Sequence, residues 1–163
     1  MKKIGLMSDT HSYLHPQVMQ YFDKVDEIWH AGDIGDIKVA DELEAFKPFR
    51  AVFGNIDGKD VRVRYPEQLR FTMEGVAVFM THIGGYPGKY APGVREQIKQ
   101  QPPKLFICGH SHILKVMPDP AFQLLHINPG ACGQQGWHKV KTLVRFELEA
   151  GRIQQLEVIE LPK

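Results

Sequence analysis

The stretch KIGLMSDTH, residues 3–11, decides the fold because it joins a short apolar strand to a group of polar side chains. Residues 3–7 have the composition of a β-strand, and the polar turn that follows them carries Asp9 and His11. Apolar side chains then recur every four positions through residues 14–22, which predicts an amphipathic helix. The unit is therefore a strand, a loop with ligand-type side chains, and a helix.

The same unit recurs along the first half of the chain. Residues 27–31 (EIWHA) form the next predicted strand, residues 32–36 the next loop, and residues 37–43 the next helix face. A third strand over residues 50–53 ends in GNID, residues 54–57. This β-α-β-α-β order predicts a parallel sheet whose loops gather at one edge.

The second half of the chain consists mainly of strands. Residues 69–73 and 76–80 flank Glu74 and Gly75, which predicts a tight hairpin. A loop rich in Gly and Pro over residues 83–93 then precedes a short helix. The helix is expected at residues 94–101, and further strands at residues 105–108, 124–127, 142–149 and 153–161.

Composition and charge indicate one globular domain, residues 1–163, with 43% hydrophobic residues. The net charge of +1 comes from interspersed charges, so no stable complex with nucleic acid is expected. Cys108 and Cys132 lie far apart in the sequence and form no CxxC pair, so a disulfide framework is not expected. This cysteine content fits a protein of the reducing cytoplasm. No segment resembles a signal peptide or a membrane span, so no membrane association is expected.

Polar side chains that can bind metals follow almost every predicted strand. Because the carboxyl ends of strands in α/β sheets meet at one crevice, these side chains are expected to lie close together. Their number exceeds what one metal ion needs, whereas two ions that share a ligand would use them all. The candidates are Asp9, His11, Asp33, Asn55, His82, His110 and His112.

A binuclear metal site explains these residue types. Two divalent ions about 3.5–4 Å apart repel each other, and a shared carboxylate such as Asp33 lowers that repulsion. Imidazole and amide ligands leave the site positive, so it can lower the pKa of a bridging water and attract a phosphate. Ligation by nitrogen and oxygen without thiolate indicates manganese, iron, zinc or nickel.

The motifs differ in specificity. Taken singly, Asp-x-His, Gly-Asp and Gly-Asn-x-Asp are also common in ordinary turns. The sequence GHSH, residues 109–112, is more specific, because only a loop lets two alternate imidazoles reach one centre, with Ser111 as a spacer. The other four histidines are expected outside the ligand set: His30 and His126 packed or hydrogen-bonded in strands, His15 near a helix start and His138 at the surface.

In their order along the chain, these motifs resemble those of the calcineurin-like metallophosphoesterase superfamily. They are Asp9-x-His11, Gly32-Asp33, Gly54-Asn55-x-Asp57, His82 and Gly109-His110-x-His112. Chain length and Asn128-Pro129-Gly130 resemble its small bacterial and archaeal phosphodiesterase branch. The resemblance implies an α/β fold, namely a four-layer α/β/β/α sandwich with two facing mixed β-sheets and the metals at one edge.

The resemblance also implies how the ligands divide and what the site does. It implies two divalent metal ions, with manganese preferred and iron, zinc or nickel as alternatives. The expected reaction is hydrolysis of a small phosphodiester by a metal-bridging hydroxide. One ion would be held by Asp9, His11, Asp33 and His112, and the other by Asp33, Asn55, His82 and His110.

The sequence departs from the family pattern at Ile56, where many members have a histidine that can protonate the leaving oxygen. Diesters with good leaving groups are therefore expected to react faster than alkyl monoesters. Asn55 is expected to polarise the phosphoryl oxygens. Asp57 either orients a metal-bound water or Asn55, or accepts hydrogen bonds within its turn. Lys89 lies in the loop after His82, which either covers the substrate or is simply solvated.

Two other functions are alternatives to this one. One is a protein-binding scaffold with weak or no catalysis, like the retromer subunit that shares this fold. That subunit has altered ligands, whereas every expected ligand is present here. A metallo-β-lactamase-type hydrolase would need His-x-His-x-Asp-His in one loop, and the sequence has no such run. A homodimer formed through an edge strand is left open.

Overall fold

The computed structural model describes residues 1–162, which form twelve strands and four helices. The helices are α1 (Val18–Tyr21), α2 (Ile37–Phe46), α3 (Lys59–Arg64) and α4 (Val94–Gln100). The strands are β1 (Lys2–Met7), β2 (Glu27–His30), β3 (Phe49–Ala51), β4 (Gln68–Met73), β5 (Val76–Thr81), β6 (Gly85–Tyr86), β7 (Lys89–Tyr90), β8 (Leu105–Ile107), β9 (Lys115–Asp119), β10 (Leu124–Asn128), β11 (Lys141–Glu149) and β12 (Arg152–Leu161).

Ten of the strands form two five-stranded mixed sheets. The first has the order β12-β11-β1-β2-β3 and the second the order β4-β5-β8-β10-β9. Strands β1, β2 and β3 are parallel, as are β5, β8 and β10, so both sheets direct parallel strands toward loops at one edge. The remaining neighbours are antiparallel. The predicted α/β fold with two mixed sheets is confirmed.

The two sheets face each other across an apolar layer. Alternate residues of β1, such as Ile4 and Leu6, point into this layer together with Leu105 and Ile107 of β8. The residues between them point outward, where α1, α2 and α3 cover the first sheet and α4 covers the second. Phe106 of β8, for example, packs under α4. The layers are therefore α/β/β/α.

Three local predictions were wrong or incomplete. The helix expected over residues 14–22 is the single turn α1, because the ring and the carbonyl of His15 accept the N–H groups of Gln17 and Val18 in tight turns. The loop over residues 83–93 contains the small hairpin β6–β7. The edge strand β9 was not predicted at all.

The hairpin expected at Glu74 and Gly75 is confirmed, with φ of 51° and 77° at these residues, the left-handed geometry that a two-residue hairpin turn needs. Both Cys108 and Cys132 are free and buried, as the absence of a CxxC pair indicated. Within residues 1–162 no helix is both long and apolar enough to cross a bilayer.

Candidate metal centre

Backbone hydrogen bonds hold the loops after β1 and β2 side by side at the edge of the first sheet. The N–H of Asp9 donates to the carbonyl of Gly32 over 3.0 Å, and the N–H of His11 donates to the carbonyl of Asp33 over 3.0 Å. From the second sheet, the N–H of Gly109 donates to the carbonyl of His82 over 2.9 Å. The side chains that follow separate strands are thus brought to one place, as expected.

Most of the predicted ligands have left-handed backbone conformations. The φ angles are 55° at Asp9, 46° at His11, 58° at Asp33, 73° at His110 and 65° at His112. Such values are uncommon for residues other than glycine and tend to collect at functional sites. All five residues lie in the loops that follow β1, β2 and β8, so the strained backbone is confined to the edge that carries the candidate ligands.

The first group of donor atoms belongs to Asp9, His11 and His112, whose ligand atoms lie within 4.8 Å of one another. Oδ1 of Asp9 is 3.8 Å from Nε2 of His11 and 3.3 Å from Nε2 of His112. Its Oδ2 accepts hydrogen bonds from the hydroxyl of Ser8 over 2.6 Å and from the N–H of His110 over 3.1 Å. One carboxylate oxygen is therefore fixed by the protein while the other faces the imidazoles.

The second group belongs to Asp33, His82 and His110. Nε2 of His82 is 3.2 Å from Oδ2 of Asp33. Nδ1 of His82 donates to the carbonyl of Ala31 over 2.7 Å, so Nε2 is the ring nitrogen that remains for an ion. Asn55 adjoins this group, with its Oδ1 3.0 Å from Nδ1 of His110.

Asp33 connects the two groups through one atom. Its Oδ2 lies 3.3 Å from Nε2 of His11 in the first group and 3.2 Å from Nε2 of His82 in the second. Its Oδ1 accepts a hydrogen bond from the N–H of Ile56 over 3.1 Å, which fixes the carboxylate plane. This is the position that a carboxylate shared by two ions requires.

The donor set fits a pair of divalent ions. Oδ1 of Asp9 and Nε2 of both His11 and His82 are buried without a hydrogen-bond partner. Leaving such atoms unpaired is costly unless something else binds them. Two ligand atoms each about 2.1 Å from one ion at near-right angles lie roughly 3 Å apart. The separations of 3.2–3.3 Å around Asp33 are close to this value.

The carboxylates and the imidazoles of the site shift one another's pKa values. Burial alone would raise the pKa of Asp9, but the imidazoles of His11 and His112 hold that pKa below its ordinary value. The contact with Asp9 raises the pKa of His11. Burial opposes protonation of His82, yet its contact with Asp33 raises its pKa. The carboxylates therefore favour the protonated form of these imidazoles, and an ion that binds the same nitrogens would compete with the proton.

Asn128 and Ser111 support the GHSH loop; from the sequence, Asn128-Pro129-Gly130 was expected to be a rigid turn next to the ligands, and Ser111 only a spacer. The side-chain amide of Asn128 donates to the carbonyl of Gly109 and to the hydroxyl oxygen of Ser111, each over 3.0 Å. That hydroxyl oxygen also accepts the N–H of Ile113 over 3.2 Å. Ser111 is therefore more than a spacer, because it anchors the loop that carries His110.

Two of the remaining histidines lie close to the site. His30 accepts the N–H of Gly32 at Nδ1, so its Nε2 donates to the hydroxyl of Thr10, as expected for a hydrogen-bonded strand histidine. Its full burial lowers its pKa to about 4, so it is neutral. His138 was expected at the surface, but it is half-buried with its ring 5.1 Å from that of His112. The loop before β11 folds back over the site, which local sequence does not reveal.

Asp57 and Lys89 occupy different settings. The buried carboxylate of Asp57 accepts the N–H groups of Ile34, Gly35 and Gly54 over 3.2, 2.8 and 2.8 Å. These bonds correspond to the turn-acceptor alternative and join the loop of Asn55 to that of Asp33. Lys89 is exposed in the hairpin β6–β7, and among residues 1–162 no hydrogen bond or ion pair links it to the two groups.

Most of the chain matches a known protein family, and several relatives have similar sequences. The calcineurin-like phosphoesterase superfamily domain matches residues 1–151. A probable metallophosphoesterase of Methanothermobacter thermautotrophicus is 29% identical over 135 residues, which cover 78% of this chain and 76% of that protein. A phosphodiesterase of Methanocaldococcus jannaschii is 26% identical over 149 residues, covering 80% and 84% of the two chains.

Solved structures show the same fold. A novel archaeal phosphodiesterase superposes with a TM-score of 0.76 at 25% identity, covering 98% of this chain and 99% of that one. Vps29 of Entamoeba histolytica, in a structure complexed with zinc, has a TM-score of 0.73 at 15% identity, covering 97% and 98% of the two chains. At that identity the likeness to Vps29 is a likeness of fold.

Proposed function

The chain belongs to the calcineurin-like phosphoesterase superfamily, and we propose that it is a binuclear metal-dependent phosphodiesterase. The observation that carries the proposal is the arrangement around Oδ2 of Asp33. One imidazole nitrogen from each group lies 3.2–3.3 Å from this oxygen, and both nitrogens are buried without a hydrogen-bond partner. The phosphodiesterase of Methanocaldococcus jannaschii supports the choice of a diester.

The residues of both groups would hold two divalent ions. Such ions supply a hydroxide nucleophile at neutral pH and positive charge opposite the phosphoryl oxygens. Oxygen and imidazole donors suit manganese, with iron, zinc or nickel as alternatives. We assign Asp9, His11, Asp33 and His112 to one ion and Asp33, Asn55, His82 and His110 to the other.

The protein's own contribution is to position the substrate beside these ligands. A cavity of about 420 Å³ opens next to Asn55 and His82 and also contains Arg62. The guanidinium of Arg62 donates to the carbonyls of Asp57 and Asn55, over 2.6 and 3.3 Å, so it holds the Asn55 loop in place. We propose that the amide of Asn55 then polarises the phosphoryl group, and that the exposed ammonium of Lys89 reaches the substrate from the hairpin β6–β7.

The side chain after Asn55 bears on the choice of ester. Ile56 is 46% exposed at the edge of the site and has no proton to give. A leaving group that departs as a stable anion needs no proton, whereas an alkoxide does. We therefore expect bis(4-nitrophenyl) phosphate to be hydrolysed much faster than an alkyl monoester, and equal rates would contradict the proposal.

The natural substrate is found by screening the metal-reconstituted protein against cyclic nucleotides, dinucleotides, glycerophosphodiesters and nucleic acid. The matched control is Asp33→Asn, which keeps the size of the side chain but removes the charge shared between the groups. Hydrolysis of at least one diester by the wild type and its loss in Asp33→Asn are expected. Full activity of the variant would overturn the binuclear assignment.

A protein-binding scaffold is the second candidate. The observation that favours it is the exposure of large apolar side chains at the surface, with Val63 75% exposed and Trp137 fully exposed. Structures of Vps29 share the fold. Tight metal binding without hydrolysis of any phosphoester in the same screen would favour the scaffold over the enzyme.

A further inference from the structure

The cavity of about 420 Å³ beside the second group of candidate ligands has the guanidinium of Arg62 in its wall. Three other arginines, Arg50, Arg64 and Arg145, each pair with a carboxylate over 2.7–2.9 Å. Within residues 1–162 no such ion pair involves Arg62, whose hydrogen bonds all go to backbone carbonyls. Its positive charge is therefore not offset by a carboxylate of this part of the chain.

Backbone and aromatic contacts fix the orientation of this guanidinium. Nε of Arg62 donates to the carbonyl of Asp57 over 2.6 Å, and Nη2 donates to the carbonyls of Asn55 and Gly54 over 3.3 and 3.4 Å. Cζ lies 4.5 Å from the centroid of the Phe53 ring, so one face of the group is covered. Nη1 donates to no atom of residues 1–162, which leaves its N–H groups free for a ligand.

The other polar side chains of the wall do not compete for this role. The amides of Gln68 and Gln97 bond to each other over 3.1 and 2.9 Å. Glu67 is the one carboxylate among the side chains that line the cavity, and it forms no ion pair with Arg62. A guanidinium with free N–H groups and no carboxylate partner selects oxygen anions, because its charge-assisted hydrogen bonds to them are stronger than those to neutral groups.

We propose that Arg62 binds a second anionic group of the substrate, a phosphate or carboxylate on a substituent of the diester whose phosphoryl group lies at the metal centre. The inference rests on the proposed function, because Asn55 and His82 belong both to the cavity wall and to the proposed metal ligands. Asn55 links the two places: its carbonyl accepts from Arg62, and its Oδ1 is 3.0 Å from Nδ1 of His110. A substituent that extends from the metal centre into the cavity therefore runs along Asn55 toward Arg62.

Support of the Asn55 loop and binding of an anion by Arg62 have different consequences. If Arg62 only holds the loop, its replacement weakens every ligand of the metal centre by a similar factor. If Nη1 also binds an anionic group, the replacement weakens a ligand with a second anionic group more than a ligand without one. The ratio of the two affinities therefore separates the two roles.

The test compares ligands that differ only in a second anionic group. Thymidine 5′-monophosphate and thymidine 3′,5′-bisphosphate are titrated into the manganese-loaded protein by isothermal titration calorimetry. Because hydrogen bonds between charged groups are strong, the bisphosphate is expected to bind about tenfold more tightly, and Arg62→Gln should reduce this ratio to below about threefold. 3′-O-Succinylthymidine 5′-monophosphate, with a carboxylate in place of the second phosphate, shows which oxygen anion Arg62 prefers.

Arg70→Gln is the matched control. Arg70 also donates to backbone carbonyls, those of Gln97 and Gln101, and lies over the ring of Phe79, but it does not line the cavity, so its replacement should leave the ratio unchanged. Equal affinities of the wild type for all three ligands, or a ratio that Arg62→Gln does not change, would overturn the inference. These readouts do not require turnover, so a protein that hydrolyses no diester would refute the proposed function separately from the anion site.

Discussion

The apolar layer between the sheets and the carboxyl edge of the same strands differ in side-chain chemistry and in backbone conformation. Within the layer, Leu6 of β1 and Ile107 of β8 are fully buried among apolar side chains. Three residues further along each chain segment, Asp9 and His110 have left-handed backbone conformations. Oδ1 of Asp9 is also buried without a hydrogen-bond partner.

This difference indicates that the residues that stabilise the fold and those that form the candidate site occupy different parts of each strand. The layer is expected to provide most of the free energy of folding, because burial of apolar surface dominates that free energy. The edge holds strained backbone and unpaired polar atoms, which lower stability until an ion binds. Substitutions in the two regions should therefore have different and separable effects.

The largest effect is expected for Asp9→Asn at the edge. The amide oxygen can replace Oδ2 as acceptor for Ser8 and His110, while the amide nitrogen can donate to the unpaired nitrogens that face Oδ1. We expect turnover to fall by about a thousandfold, as when a principal charge-stabilising group is lost. The metal-free variant should lose some stability toward urea with chelator present, because the attraction between the Asp9 carboxylate and the imidazoles is removed. This loss should be much smaller than that of a truncation in the apolar layer, and a loss of equal size would contradict the separation of roles.

The reverse result is expected for Leu105→Ala in the apolar layer. Leu105 is fully buried, so its truncation should lower the free energy of unfolding by about 2–5 kcal/mol. Manganese affinity of the folded variant should stay near that of the wild type. The control Val63→Ala, at a side chain that is 75% exposed, should change stability by less than about 0.5 kcal/mol. A variant of normal stability would show that the layer is not the main source of folding free energy.

A smaller effect is expected for Asp57→Asn, at the boundary between the two regions. Its carboxylate accepts the backbone N–H groups of Ile34, Gly35 and Gly54, and an amide has only one oxygen to do so. We expect manganese affinity to fall about tenfold, as for other residues that orient metal ligands. Turnover at saturating manganese should recover. A low turnover number under those conditions would instead favour the catalytic role for Asp57.

Local sequence patterns predicted the residues at the edge better than the pairing of the strands within each sheet. Asp9, Asp33 and His82 could be associated from sequence because each follows a strand, and parallel strands end at the same edge. The pairing of β11 with β1 joins residues such as Phe146 and Ile4, far apart in the chain, and no local pattern encodes it.

The contacts near the candidate site that sequence reasoning missed depend on packing between distant segments. The anchoring of Ser111 by Asn128 requires β10 to lie beside β8. His126 was expected to be packed or hydrogen-bonded. It is packed, but its ring lies without hydrogen bonds at a cavity formed by three separate segments. Periodicity identifies which residues are buried, whereas it does not say which buried polar atoms find partners.

The smallest effect concerns two buried neutral imidazoles that differ in their partners. Burial lowers the pKa of both His30 and His126 from 6.5 to about 4, with Lys115 contributing at His126. Between these pH values the unfolded chain binds a proton that the folded ring does not, so each histidine reduces stability as pH falls from 6.5 toward 4. His30 is hydrogen-bonded to Thr10, whereas His126 is unpaired.

Replacing each ring by phenylalanine separates these cases. We expect His126→Phe to raise the free energy of unfolding by about 1 kcal/mol at pH 7, because an unpaired polar ring is replaced by an apolar one of similar shape. The gain should grow at pH 5, where the wild type has lost stability through protonation of the unfolded chain. His30→Phe should instead lower stability at pH 7, since it leaves the N–H of Gly32 and the hydroxyl of Thr10 without this partner. Urea unfolding of both variants at pH 5 and 7 measures the contrast. A loss of stability in His126→Phe at pH 7 would mean that its ring is satisfied in solution, and the difference between the two histidines would disappear.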